Sequence, residues 1–135
     1  MSIVESKAAL PQKYSAAARA LARVGWEIRE ADINMATGKA TLRLFRADGR
    51  WLHLSADERG GAVERWRRDR PDQRGMGGVG PMFHGLTDTF LGRTRCASAV
   101  GALRFLCTYV ADNPAPHCAP LPASEVRDAI RLLMT

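Results

Sequence analysis

The residues whose types and spacing suggest chemistry fall into four groups. The first is His84 with Asp88, in the run His-Gly-Leu-Thr-Asp. That spacing can set an imidazole beside a carboxylate, the arrangement that orients a general base. No G-x-S-x-G nucleophile motif and no suggestively spaced carboxylate pair accompanies it. The second group is Cys96, Cys107, His117 and Cys118. Periodicity puts Cys96 and Cys107 on one helix, roughly 16 Å apart along its axis, too far to share one zinc ion. The C-x₂₋₄-C pairing of structural zinc sites is absent, so the expectation is no metal and no cofactor, with Cys107 a small core residue.

The third group is Gly75, Gly77 and Gly80, which match G-x-G-x-x-G in letters only. Pro81 follows the last glycine, and no apolar parallel strand leads into the first, so the βαβ frame that brings such glycines to a pyrophosphate is missing. Residues 71–85 read instead as a long Gly-rich loop. Its Met82 and Phe83 are candidate partner-binding residues that order on contact.

The fourth group is arginine. The chain has 135 residues, 17 of its 20 basic residues are Arg, and the net charge is +6. Arginine forks suit phosphate and carboxylate, so this balance favours an anionic partner. Residues 59–74 hold the densest cluster: Arg59, Arg65, Arg67, Arg68, Arg70 and Arg74 against Glu64, Asp69 and Asp72. An edge strand kept solvated by its charges is the simpler account of the same cluster.

These side chains need a scaffold, and residues 26–70 supply it. Alternating apolar and polar runs are broken at Thr37-Gly38, Asp48-Gly49 and Gly60-Gly61. Asp-Gly between two alternating runs is a strong hairpin signal, here expected as a type I′ turn. The reading is a four-stranded antiparallel meander. Leu42, Leu44, Leu52 and Leu54 form its core face, because side chains alternate along a strand. The opposite face then carries Arg43, Phe45, Trp51 and His53. The fourth strand adds either Arg65 and Arg67 or Glu64 and Trp66, since a one-residue slip exchanges the two sets. Aromatic rings mixed with Arg resemble, in composition, the platforms on which single-stranded nucleic acid stacks. The competing expectation is that later helices cover Phe45 and Trp51.

Helices flank the meander. Tyr14, Ala17, Ala18, Leu21 and Val24 make one apolar face between Pro11 and Gly25. Residues 86–91 suggest a short helical turn. A longer apolar helix is expected over 95–112, ended by Asn113-Pro114. Residues 113–122 form a Pro-rich connector, and Ser124 is the expected N-cap of a final helix. Residues 1–10 are the expected flexible arm. The whole is a single α+β domain: an N-terminal helix, the meander, then two C-terminal helices packed on the sheet.

No apolar run approaches the roughly 20 residues of a membrane helix, and no secretory pattern opens the chain, so the expected place is a bacterial cytoplasm. The leading expectation is a non-catalytic, basic nucleic-acid-binding accessory or regulatory protein. Its candidate contacts are Arg43, Phe45, Arg46, Trp51, Arg65, Arg67, Arg68, Arg70 and Arg74. The alternative is a protein–protein adaptor or inhibitor, of the kind mobile elements carry, docking through Met82 and Phe83. The third is an enzyme centred on His84 and Asp88.

Overall fold

Asp48-Gly49 does bring two alternating runs together, and the sheet grows from that hairpin. The computed structural model describes residues 10–69 and 87–135. Among them, five strands form one antiparallel sheet in chain order: β1 Trp26–Asn34, β2 Lys39–Arg46, β3 Arg50–Asp57, β4 Gly60–Asp69 and β5 Thr87–Cys96. A 3-10 turn, Gln12–Tyr14, leads into α1, Ser15–Ala22. Helices α2, Ala99–Asp112, and α3, Ala123–Met134, follow the sheet. The protein is thus α+β with an antiparallel sheet, and the sheet has one strand more than its sequence suggests.

The extra strand is β5, which replaces the expected helical turn over residues 86–91 and the first turn of the expected helix over 95–112. Thr87, Thr89, Phe90 and Thr94 are β-formers. The helix starts only after Ser98, whose Oγ accepts the Gly101 N–H at 3.1 Å as an N-cap. Cys96 therefore ends a strand while Cys107 lies in α2, so the two do not share a helix.

The hairpin loop also differs from expectation. Gly49 N–H donates to the Arg46 carbonyl at 3.0 Å, and only Gly49 takes positive φ, at 103°. A type I′ turn needs positive φ at both central residues, so the loop is instead a three-residue connection closed by glycine. At α3 the N-cap position belongs to Pro122 rather than Ser124. The Pro122 carbonyl accepts from both Glu125 and Val126.

The expected leucine face is the core. Leu42, Leu44, Leu52 and Leu54, joined by Val63, are fully buried with Leu103, Leu106 and Val110 of α2. Helix α1 contributes Tyr14, Ala17 and Leu21, and α3 contributes Ala129 and Leu133. All three helices lie on this one side of the sheet. Tyr14 Oη anchors the 3-10 turn to β1 by accepting the Ile33 N–H at 2.8 Å.

The connector after α2 is held as firmly as an element. Trp26 Nε1 and Arg46 Nη1 both donate to the Asn113 carbonyl, each at 2.9 Å. Arg46 thus places its charge at the negative end of α2. Ala115 N–H donates to the Val24 carbonyl at 2.9 Å, which presses the connector onto Gly25. Gly25 has φ 87° and no room for a Cβ against the Ala115 methyl. Gly25→Ala should therefore destabilise the protein by about 2 kcal/mol, through the strained φ and the clash together. Urea unfolding checks this, and an unchanged midpoint would contradict the packing described.

Candidate nucleic-acid interface

Strand pairing fixes what shares the sheet face away from the helices. Phe45 pairs with Trp51, Trp51 with Trp66, and Trp66 with Phe90. The register of β4 thus gives this face Glu64 and Trp66, and sends Arg65 and Arg67 to the helix side. The four rings make a row across β2 to β5. Ring centroids are 5.3 Å apart for Phe45–Trp51 and 5.2 Å for Trp51–Trp66, with near-parallel planes. Phe90 meets Trp66 edge-on at 5.1 Å.

Two β-bulges align the ends of this row. In β1 the register shifts between Ile28 and Glu30, so Arg29 and Glu30 both face away from the core. Arg29 then lays its guanidinium 4.2 Å from the Phe45 centroid. In β4–β5 the shift falls between Arg65 and Trp66, with Leu91 as the extra residue of β5, and it aligns Phe90 with Trp66.

Phe45 and Trp51 are only 7% and 9% exposed, although no helix among the described residues covers them. Their cover is local. Arg43 and Arg68 lie over both rings, and the rings cover one another. Both faces of Trp51 are occupied by rings, and Phe45 is held between Arg29 and Trp51. Bases need an open ring face to stack, and these two rings offer only their edges.

The arginines of this face are held by the protein's own acids. Arg68 donates to both oxygens of Asp88, at 2.9 and 3.2 Å, and Trp51 Nε1 donates to Asp88 Oδ1 at 3.1 Å. Arg43 lies 3.7 Å from Glu30. Arg93 donates to Glu64 at 2.7 Å, and Glu64 also accepts from Trp66 Nε1 at 3.2 Å. The next row of the sheet therefore reads Glu30, Arg43, His53, Glu64, Arg93, with charges that largely cancel.

The candidate residues chosen from sequence thus divide between two surfaces. Arg43, Phe45, Trp51 and Arg68 share the face away from the helices. Arg46, Arg65 and Arg67 lie on the helix side, bonded to Asp48, Thr94 and Asp69 respectively. Arg70, Arg74, Met82, Phe83 and His84 lie outside the described residues. Asp88, the other half of the expected acid–base pair, accepts from Arg68 and Trp51.

These ion pairs set a pH dependence. The Arg68 hydrogen bond holds Asp88 below its ordinary carboxylate value, Arg93 does the same for Glu64, and Arg46 for Asp48. A carboxylate whose folded pKa is depressed contributes stability above its unfolded pKa. That contribution is lost as pH falls through the folded value. Stability from these groups should be flat from neutral pH down to about 5 and fall below about 4. Asp88→Asn should make the acid limb shallower, as read from urea midpoints across pH. An unchanged limb would mean that the pair does not form. Cys107 is pushed up to about 12 by burial, so it remains an inert thiol.

A further basic cluster is assembled by the pairing of β4 with β5. Ala62 faces Arg95, and Glu64 faces Arg93. The tight β3–β4 turn adds Arg59, whose N–H donates to Asp57 Oδ1 at 2.8 Å. Arg59, Arg93 and Arg95 line one open cleft of about 490 Å³, floored by Gly60 and Gly61. Among the described residues, no acid forms an ion pair with the Arg59 or Arg95 side chain. Of the carboxylates there, Glu64 is bonded to Arg93 and Trp66, and Asp57 to the turn backbone. Arg59 belongs to the basic cluster seen in the sequence, whereas Arg95 lies in β5 rather than at the start of the helix expected over 95–112.

A larger opening, about 730 Å³, lies between α2 and α3, with Arg104, Arg127 and Arg131 among its lining. Its described lining has no histidine or cysteine, and Asp112 is its one carboxylate. Among the described residues there is no group of three or more His, Cys, Asp or Glu placed to hold a metal ion, and no helix long and apolar enough to cross a membrane. No protein family, no curated protein and no solved structure matches this chain.

Proposed function

We propose that the protein is a non-catalytic nucleic-acid-binding protein that grips the phosphate backbone at the Arg59–Arg93–Arg95 cleft. The observation that carries this reading is two guanidiniums, Arg59 and Arg95, with no acid of their own among the described residues, in a cleft beside an exposed strand. A net charge of +6 adds long-range attraction. The contacts at the cleft are with phosphate; in the aromatic row Phe45 and Trp51 have no free ring face to stack on, and Phe90 is half-exposed. Backbone contacts position a nucleic acid without reading its sequence. The expected binding is therefore sequence-tolerant and strongly salt-dependent.

Anisotropy titration of labelled single- and double-stranded DNA and RNA at low ionic strength tests the proposal. Saturable binding to at least one of them is expected. Failure to bind any of the four would end it.

A second reading, a protein–protein adaptor, draws support from one feature of the described surface. Phe90 and Leu91 are 49% and 38% exposed and adjacent on β5. Capture of a host protein that is lost on Leu91→Lys and indifferent to Arg59→Glu would favour this reading.

A further inference from the structure

We infer that β5 is a self-association edge, which pairs antiparallel with β5 of a second copy about a two-fold axis between Phe90 and Leu91. The inference does not rest on the phosphate reading. Strand β5 is the last strand of the sheet, and among the described residues nothing pairs its outer edge. Ten residues of edge present a row of backbone donors and acceptors among the described residues. Asp88, Arg93, Arg95 and the bulge at Leu91 are features that blunt an edge against unlike strands, but the charges flanking its midpoint, Asp88 and Arg93, are opposite in sign. The two large apolar side chains exposed among the described residues, Phe90 and Leu91, sit at its middle.

The sequence on either side of that midpoint complements itself. An antiparallel pairing centred there sets Asp88 opposite Arg93, Thr89 opposite Gly92, and Thr87 opposite Thr94. In a regular strand Asp88 and Arg93 would point to opposite faces, because five residues separate them. The bulge at Leu91 corrects this. Asp88 pairs with Arg68 and Arg93 with Glu64, so both belong to the face away from the helices. A carboxylate has about four acceptor positions, so Asp88 can take the second copy's Arg93 beside Arg68 and Trp51. A two-fold axis normal to the sheet permits only the antiparallel arrangement, and it repeats each ion pair twice. The aromatic row would then end with Phe90 against Leu91 of the second copy.

Sedimentation velocity of the full chain over a wide concentration range tests the inference. A reversible dimer is expected. Leu91→Lys, which places two like charges at the axis, should raise its dissociation constant at least about tenfold while leaving the circular dichroism spectrum unchanged. Hydrogen exchange of the wild type gives a second measurement that needs no variant. The β5 amides should become slower to exchange as protein concentration rises, and those of α2 should not. A monomer at every concentration would overturn the inference. So would a dimer indifferent to Leu91→Lys, or β5 exchange independent of concentration.

Discussion

Trp51→Ala should destabilise the protein by about 3–5 kcal/mol, the largest loss expected from any residue on the face away from the helices. The argument rests on how Trp51 is held. It is stacked between Phe45 and Trp66, with Arg43 and Arg68 over its ring and Asp88 on its indole nitrogen. Alanine removes the middle of the aromatic row, leaving Phe45 and Trp66 each with an uncovered face. It also takes one donor from Asp88, so the Arg68 pair loses its neighbour. Trp51→Phe separates these effects. It keeps a ring in the stack and loses the hydrogen bond, so its cost should be nearer 1–2 kcal/mol. Urea unfolding of both variants measures the difference. Equal losses would mean that the hydrogen bond, not the stack, sustains the row.

The core face of the sheet could be read from residues alone, and the far face only in part. Leu42 and Leu44 alternate with polar neighbours, Leu52 and Leu54 do the same, and Asp48-Gly49 lies between them. Burial against helices leaves such a pattern because one face must be apolar throughout. Strand β5 left no such trace. It is an edge exposed on both sides, so no burial constrains its alternation, and the extra residue Leu91 breaks the period at its centre. Its residues therefore resembled the start of the next helix. The same bulge geometry hid Arg29, whose place on Phe45 depends on one additional residue in β1. The β4 register could not be fixed because arginines, Glu64 and Trp66 are all acceptable on a half-open face. With that register known, the described part of the 59–74 cluster, residues 59–69, divides between two surfaces. The cleft was out of reach for a related reason: Arg59 and Arg95 are far apart in sequence and meet only through β4–β5 pairing.

Reversing the two unclaimed charges of that cleft, Arg59→Glu with Arg95→Glu, should weaken nucleic-acid binding about a hundredfold at low salt. Each reversal removes a phosphate contact and adds a repulsion, and a loss of roughly 2.7 kcal/mol is two factors of ten. Stability should hardly change, since neither side chain has a partner among the described residues to lose. By contrast, Arg68→Glu should cost stability, because it leaves Asp88 facing a second carboxylate. If Arg68→Glu abolished binding while the double reversal did not, the phosphate contacts would belong on the aromatic row.

The most direct measurement is the slope of log binding constant against log salt concentration for the wild type and for Arg59→Ala/Arg95→Ala. Two phosphate contacts, from Arg59 and Arg95, predict a wild-type slope of about −1.5 to −2, and their loss should bring the variant close to zero. Equal slopes for the two proteins would contradict the account, because the cleft would then hold no phosphate.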